Sequence, residues 1–390
     1  MTGTPPTPTL ARVPIQVILP EDHSIADDKV LQAEIARTAG ELLAELGLPG
    51  IAEVHITPAP ENSGAAAPIS FRVNDTTRAI PDGTTIAGAA DMAAACERLL
   101  RSEPELLPNA SVAEYLSKSL EDKTPPIAIH PVYLLEVIRS TVQAGVSIRD
   151  VQRLGTTAQR TAASATPPEN AAEHVIAALR PDCIEVVLNE AYLRGMSNTS
   201  ADPITRAVAD LRSRFLVATG LELRPLQFVC RDDMPDRSVA FRINHLRTER
   251  IGGLPDPGEP SAPPALLEKL ERALVARARQ LVAAPDVRSL LVAARQHARD
   301  LVEAVEERYG VATLTRILRE IVQAGVSLYD PYPVLNRVLL FDYVAANCET
   351  DVVLFDERVC ATEDMKQASS KLVESVSRYV CRPVATGVGS

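Results

Sequence analysis

The sequence predicts an α+β fold made of two tandem copies of one unit, each a small β-α-β-β lobe followed by a helical lobe. Three observations carry this. Residues Val137-Ile-Arg-Ser-Thr-Val-Gln-Ala-Gly-Val-Ser-Ile-Arg-Asp150 return as Ile317-Leu-Arg-Glu-Ile-Val-Gln-Ala-Gly-Val-Ser-Leu-Tyr-Asp330, and Val142–Ser147 is identical to Val322–Ser327. The hexapeptide Ile69-Ser-Phe-Arg-Val-Asn74 returns as Val239-Ala-Phe-Arg-Ile-Asn244. Between these landmarks, runs of strand period and runs of helix period follow the same order in both halves. The offset between copies grows from about 170 residues at Phe71 and Phe241 to about 180 at Gly145 and Gly325.

The elements can be justified in order. Residues 1–14 read as a disordered Pro/Thr tail with neither the basic nor the apolar region of a signal peptide. Copy one spans 15–180 and copy two 184–358. Each opens on a β-type run, Ile15–Leu19 and Ile184–Leu188. An amphipathic helix follows. In copy one Val30, Leu31, Ile35, Ala39, Leu42, Leu43 and Leu46 recur at three- and four-residue spacing, and in copy two Ile204, Val208, Leu211, Phe215 and Leu216 do the same. Asp202-Pro203 is a helix start signal, and Gly47 and Gly220 are stops. Ala52–Thr57 and Leu226–Arg231 read as second strands. The hexapeptides read as third strands, with Phe71 and Val73 alternating with Arg72 and Asn74. After Pro/Gly-rich breaks the pattern turns helical, with stretches expected near 265–284 and 286–308 in copy two and a shorter region in copy one. Pro167-Pro168 falls in the stretch joining the copies. Residues 359–390 are expected to hold a C-terminal helix and a flexible tail.

The repeated junction reads as helix, tight turn, helix. Gly145 and Gly325 sit where a left-handed residue stops the first helix. Ser147 and Ser327 suit an N-cap for the second, with Asp150 and Asp330 three positions on in a capping-box arrangement. Pro331 and Pro333 are expected to displace or shorten the second helix of copy two.

Composition narrows the function. Hydrophobic residues make up 46% and charged residues 23%, as in ordinary folded proteins. The net charge of −11 and the lack of any dense Lys/Arg run argue against nucleic-acid binding, including a DNA-reading role for the junction. No apolar run reaches the length of a membrane span, so no direct membrane insertion is expected and a cytoplasmic location is. The six cysteines are widely spaced and the six histidines scattered, which fits free thiols and gives no metal site. No nucleophile-elbow, phosphate-loop or dinucleotide motif occurs. The sequence offers no catalytic, cofactor-binding or metal residues, and no enzyme is expected.

The order of these pieces resembles the cytosolic domain of the FHIPEP family, the export-gate proteins of flagellar and virulence type III secretion systems. Asp202–Gly220 is similar to that family's first cytosolic helix, and Pro225–Arg250 to the strand pair after it. Val142–Asp150 and Val322–Asp330 are similar to its helical junction; Arg149-Asp150 completes that pattern in copy one and Tyr329-Asp330 departs from it in copy two. The family's transmembrane half is absent, and the cytosolic unit appears twice rather than once. The resemblance implies binding of other proteins and ring-like homo-oligomers. The alternative is a stand-alone adaptor or regulator in a signalling or defence system. Aromatics are only 4% of the chain and Trp is absent. Tyr329, Tyr332, Phe341 and Tyr343 therefore stand out as candidate partner-binding anchors. The grooves between each α/β lobe and its helical lobe are the other candidate surface.

Overall fold

A computed structural model describes residues 10–19, 29–58, 69–80, 86, 88–198 and 201–347, without the side chains of 197–198, 201–203 and 341–347. The expected tail of residues 1–9 and the segment 359–390 lie outside the described residues. The chain divides into two compact units, Met1–Arg180 and Pro181–Ser390.

Unit 1 begins with β1 (Ala11–Leu19), α1 (Lys29–Leu46), β2 (Gly50–Pro58), β3 (Ser70–Val73) and β4 (Thr76–Ala79). The sheet order is β2-β1-β3-β4, with β2 parallel to β1 and the other pairs antiparallel. Ala11–Pro14, expected in the tail, belong to β1. Here Val13, Ile15 and Val17 are fully buried while Arg12 and Pro14 are exposed, the alternation of a strand with one covered face. In α1, Leu31, Ile35, Ala39, Leu42, Leu43 and Leu46 are buried, but Val30 is exposed and lies off the stripe. The fourth strand was hidden because Thr76–Ala79 has no apolar alternation. It forms because Asn74 turns the chain back on itself.

The helical part comprises α2 (Ala89–Ser102), a 3-10 turn at Pro104–Leu106, α3 (Ala110–Glu121), α4 (Pro131–Gln143), α5 (Val151–Ala163) and α6 (Pro168–Leu179). Pro167-Pro168 is therefore a helix start, not a linker. Proline at the first helical position loses no bond, because that N–H has no intrahelical partner.

Unit 2 repeats the plan with β5 (Ile184–Leu188), α7 (Glu190–Asn198), α8 (Ala201–Thr219), β6 (Leu226–Cys230), β7 (Val239–Ile243) and β8 (Leu246–Arg247). Its sheet order is β6-β5-β7-β8, with the same parallel and antiparallel pairs. Phe71 pairs with Val17, Phe241 pairs with Val186, and both rings are buried. The short α7 escaped the sequence reading. Its start is marked by Asn189, whose side-chain oxygen accepts from the Ala191 N–H at 2.8 Å.

The helices of unit 2 are α9 (Ala262–Ala276), α10 (Ala278–Leu281), α11 (Ala284–Arg295), α12 (Arg299–Gln323) and α13 (Pro331–Asn347). The two long stretches expected here are thus divided differently. One break precedes α11, where the Asp286 carboxylate accepts from the Ala283 N–H at 2.9 Å. A second lies at Gly310, with φ +66° inside α12. One contiguous apolar core runs from Ile184, Val186 and Phe241 through Leu270 and Leu291 to Leu318 and Val334. The sheet and helices of unit 2 therefore share a core. No helix among the described residues is long and apolar enough to cross a membrane.

Candidate functional site

The repeated junction is built the same way twice. At the end of α4 the Gly145 N–H donates to Val142 O at 2.8 Å and the Val146 N–H to Thr141 O at 3.2 Å. At the end of α12 the Gly325 N–H donates to Val322 O at 3.0 Å and the Val326 N–H to Ile321 O at 3.2 Å. This bond pair needs a left-handed residue, and Gly145 and Gly325 have φ of +71° and +82°. Val146 and Val326 then drop into the core.

Past that turn, each junction lies across the C-terminal end of the long helix of its own sheet lobe. The Ile148 N–H donates to Leu46 O at 2.8 Å in unit 1, and the Leu328 N–H to Thr219 O at 2.9 Å in unit 2. The crossing chains meet at Gly47 and Gly220, with φ of +69° and +75°. A Cβ on Gly47 would lie 2.6 Å from Arg149 N, and one on Gly220 would lie 2.1 Å from Leu328 C. The helix-stopping glycines thus serve a second purpose, since they let a second backbone pass.

Ser147 and Ser327 do not cap the following helices. The N-cap of α5 is Asp150, whose carboxylate accepts from the Arg153 N–H at 2.9 Å. Asp330 accepts from the Tyr332 N–H at 3.2 Å at the start of α13. The serine oxygens instead accept from the N–H two residues on, Arg149 at 3.3 Å and Tyr329 at 3.1 Å. Three residues too many separate Ser147 from the helix for it to reach the first turn. Nor do the prolines displace or shorten α13. It starts one residue after Asp330, as α5 does after Asp150, and runs 17 residues against 13. Pro331 and Pro333 occupy first-turn positions whose N–H groups have no intrahelical acceptor.

The copies diverge at one contact. In unit 1 the Arg149 guanidinium folds back and donates to Ala44 O at 2.6 Å and 3.1 Å, placing a cation at the negative end of α1. In unit 2 the matching carbonyl, Val217 O, accepts from the Ser327 hydroxyl at 2.8 Å. The residue at the Arg149 position is Tyr329, released from capping and 61% exposed. Tyr332, the second residue of α13, is 54% exposed. The side chain of Val217 is also exposed. The side chains of Phe341 and Tyr343 lie outside the described residues.

Two asparagines that sequence reasoning placed on strands hold the sheet to the helices. Asn74 and Asn244 have φ of +52° and +55° and form the β3–β4 and β7–β8 turns. Asn74 Nδ2 donates to Leu106 O at 2.6 Å, and Asn109 donates to Asn74 Oδ1 at 2.9 Å. Asn244 Nδ2 donates to Gln280 O at 2.7 Å and its Oδ1 accepts from Arg224 at 2.9 Å. The signal was present in the repeated hexapeptide, where Asn ends both copies and tolerates a left-handed backbone.

Ion pairing with arginines three or four residues away lowers the carboxyls of Glu34, Glu268 and Glu303, all on helix surfaces. Burial pushes the Cys96 thiol up to about 12. A recess of about 510 Å³ on the open face of the first sheet is lined by Gln16, His55, Thr57, Arg72 and Asp75 among others. Among the described residues, no three His, Cys, Asp or Glu side chains are placed to hold a metal.

No family model and no curated protein matches the chain. Solved structures do. It is similar to the CdsV protein of Chlamydia pneumoniae, in a structure of its complex with CdsO, at 12% identity and a TM-score of 0.39 over 51% of this chain. It is similar to MxiA of Shigella flexneri at 14% identity and 0.38 over 52%. It is similar to the nonameric SctV-C of EPEC at 13% identity and 0.36 over 50%. The match spans 65% of the length of the first two and 66% of the third. It is also similar to the nonameric EscV cytosolic domain from the type III secretion system at 13% identity and 0.34 over 44%. All of these likenesses are distant, and no functional property passes from them to this chain.

Proposed function

We propose that this chain is a non-enzymatic protein-interaction module, built on a doubled export-gate-like unit, that binds other polypeptides in a secretion-like assembly. The observation that supports the reading is the exchange of Arg149 for Tyr329 between equivalent positions. In unit 1 the side chain is consumed by a helix cap. In unit 2 the cap passes to Ser327 and the aromatic at 329 stands in solvent, with Tyr332 three residues on also exposed. Exposed tyrosine offers large contact area at small entropic cost and is enriched among binding anchors. The internal resemblance of both junctions to the FHIPEP pattern supports the class of partner.

The test is a photo-crosslinking residue at position 329 of the full chain in its native cell, with a control at Val132, an exposed apolar residue of unit 1. A defined set of polypeptides should cross-link at 329 and not at 132, and Tyr332→Ala should diminish it. No adduct at 329, or the same adducts at both positions, overturns the reading.

A further inference from the structure

Among the described residues, the outer edge of the first sheet presents unpaired backbone groups. β2 is an edge strand nine residues long. The direction of its free backbone groups follows from the ladder. The Asn74 N–H donates to Pro14 O, so the even residues of β1 turn their backbone toward β3 and the odd residues toward β2. With Ile15 facing Val54 in the parallel register, Glu53 and His55 spend their backbone groups on β1. Ala52, Val54 and Ile56 aim theirs outward, where no hydrogen bond receives them among the described residues.

The side chains add to this. Ala52, Val54 and Ile56 face the helix side but stay half-buried, while the paired residues of β1 are fully buried. On the open face Ile51 is 57% exposed, His55 is exposed, and Glu53 is half-buried, accepting from Arg12 at 3.4 Å and lying 3.8 Å from His55 of its own strand. An unpaired edge of this length is a template for another strand.

We propose that β2 pairs antiparallel with β2 of a second copy about a two-fold axis at Val54, joining two sheets into one of eight strands. The strand is complementary to itself in this register. Val54 meets Val54, Ala52 meets Ile56, and Glu53 meets His55 of the second copy. Because the outward residues are the even ones, Val54–Val54 and Ala52–Ile56 are hydrogen-bonded pairs. Glu53–His55 is then the non-hydrogen-bonded kind, in which side chains approach more closely. Moving the axis by one residue sets Glu53 against Glu53, two like charges, or sets His55 against His55 and leaves both Glu53 carboxylates without the imidazole, so the Glu53–His55 pair selects the register. The equivalent edge in unit 2, β6, has five residues, Leu226-Gln-Phe-Val-Cys230, and no charged pair to specify self-pairing. The proposal uses a surface separate from the Tyr329 face and stands or falls without it.

The test is sedimentation of the full chain at tens of micromolar. The wild type should be a dimer. Glu53→Lys and His55→Glu should each weaken it by about tenfold, the effect of about 1.4 kcal/mol spread over two symmetric pairs. The double change Glu53→Lys/His55→Glu sets opposite charges across the seam and should recover the dimer. The three variants alter only Glu53, which is half-buried on the open face, and His55, which is exposed, and circular dichroism checks that each variant folds. A Val54→Cys variant reports the register independently, through a 54–54 disulfide mapped by mass spectrometry. A wild-type monomer at that concentration overturns the proposal. So does a dimer that ignores both single changes and forms no 54–54 link.

Discussion

At the scale of single residues, six glycines have a left-handed backbone among the described residues, and they are not equivalent. Gly325 has φ +82° and open space where a Cβ would go. Gly220 has φ +75° and the backbone of Leu328 and Tyr329 within 2.1–2.3 Å of that point. Gly325→Ala should therefore cost only the left-handed penalty of about 1–2 kcal/mol. Gly220→Ala adds an overpacking cost of about 1–3 kcal/mol and pushes the junction off α8. Urea midpoints of the two variants should differ in that order, and equal midpoints would refute the crossing geometry. The need for a glycine at 220 was legible from the end of the apolar stripe. That a second chain passes there was not, because nothing local at Gly220 encodes a partner more than 100 residues away.

Elements were legible wherever their own pattern was sufficient. The β1, β5, β3 and β7 strands, α1 and α8 all follow from apolar spacing within one segment. Elements held by a contact from outside the segment were missed or misplaced. β4 depends on the Asn74 turn, and α7 on the Asn189 cap and on Tyr192, whose hydroxyl donates to Pro255 O at 3.0 Å. The capping residue of α5 was misassigned for a related reason. Ser147 and Asp150 are both good caps, and choosing between them requires knowing that the buried side chains of Val146 and Ile148 hold the intervening segment extended. The consequence can be measured. Asp150→Ala should lower stability by about 1 kcal/mol through loss of the Arg153 N–H acceptor. Asp150→Asn, which keeps an acceptor, should lose only a few tenths. If both cost the same, the carboxylate acts otherwise than as a cap.

At the scale of the whole molecule, the repeat asks whether two copies of one plan fold as one cooperative body or as two. Each copy has its own sheet, and unit 2 has a contiguous core of its own. Domains with separate cores open separately. Cys96 provides a local reporter. It is buried in α2 of unit 1, and burial drives its thiol pKa up to about 12, so it reacts with thiol reagents only when unit 1 opens. Phe71 and Phe241 are matched buried rings, one in each unit. Removing either ring costs its unit about 3–5 kcal/mol. For Phe71→Ala, Cys96 labelling under native conditions should accelerate by roughly two to four orders of magnitude, the population change that this energy implies. For Phe241→Ala it should not change, although unit 2 is weakened as much. Peptide mapping identifies Cys96 among the six cysteines. Acceleration by Phe241→Ala equal to that by Phe71→Ala would mean one cooperative body, and the division at Arg180 would then be geometric only. Independence would mean that each copy could diverge without endangering the other. Such freedom would suit the difference between Arg149 and Tyr329, since unit 1 caps its helix with a guanidinium while unit 2 caps it with Ser327 and exposes a tyrosine.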